Sequence, residues 1–298
     1  MTTPFAPGDI LLAATDVDDR NVDLRNHSGP GRVLHFSPDL QPRAALFTGQ
    51  TGLVVGLGID PTDGALYACD PGSQTVTRFN ADGSLAGTTS PLPRARIGSI
   101  VFHRDGRFIA GLHSKIGEAA GTPTPPRLYL GSMQNGHAEG LDVEIDGGKF
   151  GFHCVTHMCL DASERTLVYV SEGGRRLMRY DLSERRQLPD LLRLPAEDPR
   201  GTLGPAVLPD GRVLMATGSG ILMLDAVGTV LNEFPASSPR GWSRLTLALD
   251  QRSYFVSNFL EGVLEKREVE TARLTQRLDI QRKFSLSGLA EVPAASQA

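Results

Sequence analysis

The sequence contains few cysteines and no long apolar run. Its three cysteines, Cys69, Cys154 and Cys159, are an odd number without a C-x-x-C pair, so they predict reduced thiols rather than a disulfide framework. An apolar stretch of about 18 residues is absent, so the sequence predicts no membrane helix. The first residues lack a basic segment before an apolar core, so we expect no signal peptide and a cytoplasmic location.

The sequence also lacks the charge and the motifs of several common functional classes. The net charge is −4 over 298 residues and only 6% of residues are aromatic, which argues against a nucleic-acid-binding surface. It has no P-loop, no dinucleotide glycine motif and no G-x-S-x-G elbow. The partner that we expect is therefore a small-molecule substrate, with neither nucleic acid nor membrane involved.

Turn residues, in contrast, are abundant, with 33 glycines and 20 prolines. Residues 56–82 form the clearest pattern, in which three short apolar and polar alternating segments are separated by Pro-Thr-Asp-Gly and Asp-Pro-Gly-Ser. Such alternation between tight turns is typical of consecutive antiparallel strands.

The same plan recurs along the chain. The residues that end the first strand of each unit are 43, 58, 48 and 41 positions apart; they are Asp60, His103, Asp161, Pro209 and Asp250. A four-stranded propeller blade takes about 40–50 residues, so this spacing predicts a β-propeller. Residues 182–194 are the most helix-like run, but Pro189 favours strand and loop there.

The two ends of the chain complement each other. Residues 8–47 supply a second, third and fourth strand but no first strand, and residues 286–293 supply a first strand with nothing after it. We expect the C-terminal strand to join the N-terminal blade, because ring closure removes two free sheet edges. The prediction is an all-β, six-bladed propeller with four-stranded antiparallel blades, forming a single domain over residues 1–298.

Residues 67–83 resemble an NHL-type repeat, and the whole chain resembles the six-bladed superfamily of gluconolactonase-like, strictosidine-synthase-like and NHL-repeat proteins. The resemblance implies that ligands bind on the face formed by the loops before first strands and the loops joining second to third strands. It also implies a divalent cation held by a Glu, two Asn and an Asp. By register, three of these positions fall at Thr156, Gly204 and Leu286 or Ser287. None of these residues can serve as the expected ligand of the cation. We therefore expect no metal at that position and no cofactor, with a divalent metal elsewhere as an alternative.

Arginines recur in the loops that precede first strands. A planar guanidinium suits a carboxylate or phosphate, and a concave face focuses the field of several such groups. The candidate substrate-binding residues are Arg96, Arg200, Thr202, Trp242, Arg244 and Thr156. Alternatively, the arginines are solvated and paired with acids such as Glu172 and Asp198, and Trp242 packs between blades.

The segment of residues 153–159 contains two histidines and two cysteines. His153 is a candidate general acid or base if it lies in the loop before the fourth blade, and His157 is a second catalytic candidate. Alternatively, His157 packs between blades. If the segment is a strand, His153 and His157 are disfavoured as ligands of one metal ion, because residues four positions apart in sequence are then separated by about 13 Å. Asp16 is the third catalytic candidate, because it lies close to the end of a strand and can supply a carboxylate to the pocket. The long loops at residues 16–31 and 113–127 can act as lids over the same face.

These features predict an enzyme of the hydrolase, lyase or cyclase type, with acid–base chemistry on a polar or anionic substrate at the top of the central channel. Two alternatives remain. One is a non-catalytic NHL-like propeller that binds a ligand or a protein, and the other is a lactonase that depends on a divalent metal.

Overall fold

A computed structural model describes residues 2–15, 29–89, 96–115, 128–147 and 152–294. These residues form six antiparallel β-sheets arranged as the blades of a propeller. They contain no helix long and apolar enough to cross a membrane. The all-β, six-bladed architecture expected from the turn and strand pattern is confirmed.

Each blade is built from four consecutive strands, apart from the first, which includes the last strand of the chain, and the third, which has a fifth strand. The first blade contains β1 (Ile10–Thr15), β2 (Pro30–Phe36), β3 (Pro42–Thr51) and the last strand of the chain, β25 (Gly288–Glu291). The second contains β4 (Gly56–Ile59), β5 (Leu66–Asp70), β6 (Thr75–Phe79) and β7 (Leu85–Thr88). The third contains β8 (Ile97–Phe102), β9 (Arg107–Lys115), β10 (Leu128–Ser132) and β11 (His137–Leu141), together with β12 (Phe152–Cys154).

The remaining three blades are regular. The fourth contains β13 (His157–Leu160), β14 (Thr166–Val170), β15 (Arg176–Asp181) and β16 (Arg186–Arg193). The fifth contains β17 (Pro205–Val207), β18 (Val213–Ala216), β19 (Gly220–Leu224) and β20 (Val230–Pro235). The sixth contains β21 (Trp242–Leu247), β22 (Ser253–Asn258), β23 (Val263–Glu268) and β24 (Leu274–Asp279).

The ring closes in the way that the sequences of the two chain ends predicted. Strand β25 pairs antiparallel with β1, with Ile10 opposite Glu291 and Ala13 opposite Gly288. Leu289 is 2% exposed and packs in a cluster that also contains side chains of the sixth blade. The closing strand therefore stabilises both its own sheet and the boundary with the neighbouring blade.

The first strands of neighbouring blades lie very close to one another around the axis. A Cβ atom on Gly56 of β4 would lie 2.4 Å from the carbonyl oxygen of Gly98 in β8. Likewise, a Cβ on Gly204, just before β17, would lie 2.5 Å from the carbonyl oxygen of Ser243 in β21. Glycine at these positions allows the inner strands to converge into a narrow channel.

The third blade departs from the expected pattern. The loop expected at residues 113–127 begins later, because β9 extends to Lys115 and its last three residues pair with β12. The sequence left open whether residues 152–154 lie in a strand or in a loop, and the structure makes them β12, a fifth strand that pairs with the end of β9. The loop expected at residues 16–31 ends earlier, since β2 begins at Pro30. Residues 16–28 and 116–127 lie outside the described residues.

Candidate functional site

Side chains from the second, fourth and sixth blades meet at the axis of the propeller. Arg244 of β21 donates from Nη1 to Nδ1 of His157 in β13 at 3.0 Å. Arg244 also lies close enough to Cys69 of β5 for the two to affect each other's pKa. Residues from three alternate blades can approach one another only near the axis, so the Arg244 guanidinium lies in the channel.

This pair fixes the protonation of His157. Burial, aided by the charge of Arg244 and by His113, holds the pKa of His157 well below its ordinary value, so the imidazole is neutral at pH 7. Arginine can only donate hydrogen bonds, so Nδ1 must be the acceptor and we assign the proton to Nε2. His157 therefore offers a neutral N–H donor rather than a free basic nitrogen.

Arg244 is a buried cation without a carboxylate partner among the described residues. Its side chain is buried, and none of the ion pairs formed within the described part of the chain includes it. Burial lowers the pKa of Arg244, and the two groups that raise it are the thiols of Cys159 and Cys69. A charge in such surroundings favours an anion in the channel, because an uncompensated buried charge is costly.

A second group of side chains lies beside this pair at the top of the channel. Nε2 of His113 is 3.1 Å from Oε2 of Glu172. One ligand atom of each of His113, Cys154 and Glu172 lies within 4.8 Å of the others. The side chains of His113 and Glu172 are 15% and 31% exposed, so solutes can reach the cluster.

Backbone pairing brings His113 and Cys154 together. They are directly opposite each other where β9 pairs with β12, and opposite residues in antiparallel strands have Cβ atoms about 4.5–5.5 Å apart. Gly98 leaves space for the imidazole, because a Cβ there would lie 2.5 Å from Cβ of His113. Glu172 is the second residue after β14 and reaches the cluster from the neighbouring fourth blade.

Thr156 connects the two groups. Its carbonyl oxygen accepts a long hydrogen bond of 3.4 Å from Nη1 of Arg244, and its hydroxyl oxygen lies 2.8 Å from Sγ of Cys154. His113 also contributes to the lowered pKa of His157. The cluster and the channel pair therefore form one continuous site, built by the third, fourth and sixth blades.

The structure brings three of the residues predicted from the sequence into this site: Thr156, His157 and Arg244. His153 lies in β12 by its backbone, and its side chain falls outside the description. Asp16 also lies outside the described residues. Arg96 borders the site through its backbone, where its carbonyl oxygen accepts a hydrogen bond of 2.7 Å from the amide of His113.

Three other predicted residues contact groups outside this site. Arg200 is paired with Asp198 and with Glu233 of β20, the outermost strand of the fifth blade. It lines an open depression of about 480 Å³ at this periphery. Thr202 is buried and donates to the carbonyl oxygen of Arg176. Trp242 is buried between the fifth and sixth blades and donates from Nε1 to the Ser238 carbonyl oxygen at 3.1 Å.

The positions that register assigned to the family metal ligands carry no suitable group. Thr156 and Gly204 have the contacts given above, Leu286 is fully buried, and Ser287 donates its hydroxyl to the carbonyl oxygen of Val54.

Comparisons with known proteins support the fold. No protein-family model matches the sequence, and no curated protein matches it either. A chain of a nidogen/laminin complex superposes with a TM-score of 0.68 at 11% identity, over 96% of this chain and 98% of its own. A gluconolactonase from Xanthomonas campestris has a TM-score of 0.57 at 18% identity, over 76% and 75%. Virginiamycin B lyase from Staphylococcus aureus has a TM-score of 0.54 at 11% identity, over 77% and 71%.

These similarities define the chain as a six-bladed β-propeller with gluconolactonase and lyase structures among its neighbours. At such identities they show the fold alone, and many functions share one fold.

Proposed function

We propose that the protein is a small-molecule enzyme of the hydrolase, lyase or cyclase type, acting on an anionic organic substrate at the top of its channel. The observation that carries the proposal is the contact of 3.1 Å between His113 and Glu172. The hydrogen-bonded histidine and carboxylate are partly exposed, and His113 lies close enough to His157, the partner of Arg244, to lower its pKa. Acid–base chemistry by a positioned group contributes about 10²–10⁴-fold to a rate.

The channel pair supplies the substrate-binding half of the proposal. Arg244 offers a charged donor to a carboxylate or phosphate, and burial strengthens such an interaction because little water screens it. His157 adds a neutral donor through the proton that we assign to Nε2. An anion held by both would present its uncharged part toward the cluster of His113, Cys154 and Glu172.

The reaction is assigned to the cluster rather than to His157. A general base needs a nitrogen lone pair that is free to accept a proton, whereas Nδ1 of His157 is engaged by Arg244. Glu172 can orient the ring of His113, which is the arrangement of a histidine and its carboxylate partner in acid–base sites. The proton-transferring group of the proposed reaction therefore belongs to the cluster.

None of the three cysteines forms a disulfide, which supports a reducing compartment, and we place the enzyme in the cytoplasm.

The second candidate function is a non-catalytic propeller that binds a ligand or a protein. The observation in its favour is the similarity, over 96% of this chain, to a chain of a nidogen/laminin complex. It predicts ligand binding or partner binding without turnover, and it leaves the cluster without a chemical role.

Turnover assays on a panel of lactones and of esters that carry a carboxylate distinguish the two functions. We expect turnover of at least one compound, and we expect His113→Gln to lower kcat by about 100-fold or more. The matched control is His137→Gln, because His137 is exposed on β11, away from the site. Binding of panel compounds without turnover, or equal kcat in both variants, would overturn the proposal.

A further inference from the structure

We propose that His113, Cys154 and Glu172 bind a zinc ion. This inference deepens the proposed function, because a metal-bound water would then be the group that transfers the proton. Its catalytic part rests on that function, whereas metal binding itself stands on the geometry of the three side chains.

The three ligand atoms already converge. They all lie within 4.8 Å of one another, and the histidine nitrogen and carboxylate oxygen are 3.1 Å apart. In a tetrahedral zinc site, metal–ligand distances of about 2.0–2.3 Å place ligand atoms about 3.3–3.7 Å apart. The longest of these separations therefore has to shorten by about 1.1–1.5 Å at most, which side-chain rotation can supply.

The chemistry of the ligands selects the metal. One imidazole nitrogen, one thiolate and one carboxylate oxygen suit zinc or a similar borderline divalent ion, whereas magnesium and calcium prefer oxygen ligands alone. Three protein ligands leave the fourth tetrahedral position open, which is the arrangement of catalytic zinc sites. Zinc at such a site lowers the pKa of a bound water to about 7.

The surroundings of the ligands are those of a supported site. Cys154 is fully buried, where a thiolate is stable only beside a positive charge. The hydroxyl of Thr156, 2.8 Å from Sγ, can donate a hydrogen bond to that thiolate. Backbone pairing of β9 with β12 fixes the relative positions of His113 and Cys154. Ligands held on strands and supported by a second layer of hydrogen bonds are pre-organised for a metal.

The site is distinct from the one that the superfamily resemblance implies. That site uses oxygen and amide ligands from first strands, whereas these ligands come from the end of β9, from β12 and from the loop after β14. Only the top of the channel is common to both.

Cobalt substitution provides a test that does not depend on activity. The full-length protein is stripped with a chelator, dialysed and titrated with Zn²⁺ or Co²⁺, with bound metal measured by elemental analysis. We expect one equivalent of metal and, with Co²⁺, a near-ultraviolet thiolate-to-metal charge-transfer band. Cys154→Ser should abolish the band, and Cys159→Ser should leave it intact.

The remaining ligands are tested by affinity. His113→Gln and Glu172→Gln should each weaken Zn²⁺ binding by about 10-fold to 100-fold or more, whereas His137→Gln and Glu197→Gln at exposed positions should not. Glu172 is a partly exposed loop residue, so Glu172→Gln should keep the fold. Weaker Zn²⁺ binding by this variant is therefore due to the lost ligand and not to misfolding. Binding of less than one equivalent, or a band that survives Cys154→Ser, would overturn the proposal.

The two proposals fail in different ways. Full turnover by metal-free protein would refute the catalytic part of the zinc proposal and leave the enzyme. One equivalent of zinc, dependent on Cys154, in a protein that turns over no compound of the panel would confirm the metal site and refute the proposed function.

Discussion

Nη1 of Arg244 donates to Nδ1 of His157 across the axis of the propeller at a distance of 3.0 Å. The two residues belong to the sixth and fourth blades, and the fifth blade separates them in the ring. The contact therefore joins side chains that are close only because the ring is closed and the channel is narrow. It also keeps a neutral imidazole next to a permanent charge.

The first prediction concerns the anion that this charge favours. Arg244→Met should abolish the rise in Tm that phosphate or small carboxylates produce in the wild-type protein, and it should raise KM for an anionic substrate by about 10-fold or more. Its own Tm should change little, because removal of a desolvated charge offsets the lost hydrogen bond. Thermal unfolding against anion concentration is the measurement, with the exposed Arg252→Met as the matched control. An unchanged anion dependence in Arg244→Met would contradict the prediction.

The second prediction concerns the space beneath His113. Gly98→Ala places a Cβ atom 2.5 Å from Cβ of His113, which should cost about 1–3 kcal/mol in unfolding free energy. Displacement of the His113 imidazole by this Cβ atom should also lower the turnover rate and the affinity for zinc. Gly136→Ala is the control, because Gly136 has open space around it and a positive φ of 62°. That variant should lose about 1 kcal/mol without loss of turnover, and equal turnover in both variants would contradict the prediction.

The third prediction concerns ring closure. Leu289 is 2% exposed within a cluster that includes Ile10 and Phe255, so Leu289→Ala should lower the free energy of unfolding by about 2–5 kcal/mol. Leu274 of β24 is 42% exposed, and Leu274→Ala should cost less than about 1 kcal/mol. Urea unfolding measures both. Similar losses would show that the closing strand contributes no more than an outer one.

The fourth prediction concerns the pH dependence of stability. Burial raises the pKa of Glu291 above its usual value near 4.5, so the folded state binds this proton more tightly than the unfolded state does. The stabilisation is present below the unfolded pKa and is lost as pH rises through the folded pKa. Glu291→Gln removes the charge and keeps an acceptor for the Leu249 amide.

Glu291→Gln should therefore be more stable than the wild-type protein at pH 7 and equally stable at pH 4. Urea unfolding at both values is the measurement. The control is Glu197→Gln, since Glu197 is exposed. A wild-type protein that exceeds Glu291→Gln in stability at pH 7 would contradict the assigned direction.

The architecture could be predicted because the turns encode it locally. Oδ1 of Asp60 accepts the amide of Thr62, and Oδ1 of Asp70 accepts the amide of Gly72, so a few residues define each turn whatever surrounds them. Counting such units gave six blades, and the incomplete units at the two ends indicated how the ring closes.

The site could be predicted only in part. Thr156, His157 and Arg244 were found because they lie at the start of first strands, where the repeat pattern places the channel. His113 and Glu172 were missed. His113 was assigned to a loop because β12 is three residues long and has no alternation to reveal its pairing with β9. Arg200 was assigned to the channel because the sequence does not reveal its ion pair with Glu233 of β20. That pair depends on tertiary structure.

The closure of the first blade also determines how the protein responds to a mechanical load. Ile10 and Glu291 form the pair at one end of the β1–β25 ladder. Both strands continue out of the ladder at that end. The hydrogen bonds between Gly8 and Val292 and between Val292 and Asp9 continue the ladder beyond this pair. Tension applied before Gly8 and after Val292 therefore falls on one hydrogen-bonded pair at a time. We therefore expect the ring to open by unzipping at low force, in a blade that lies outside the three that form the site.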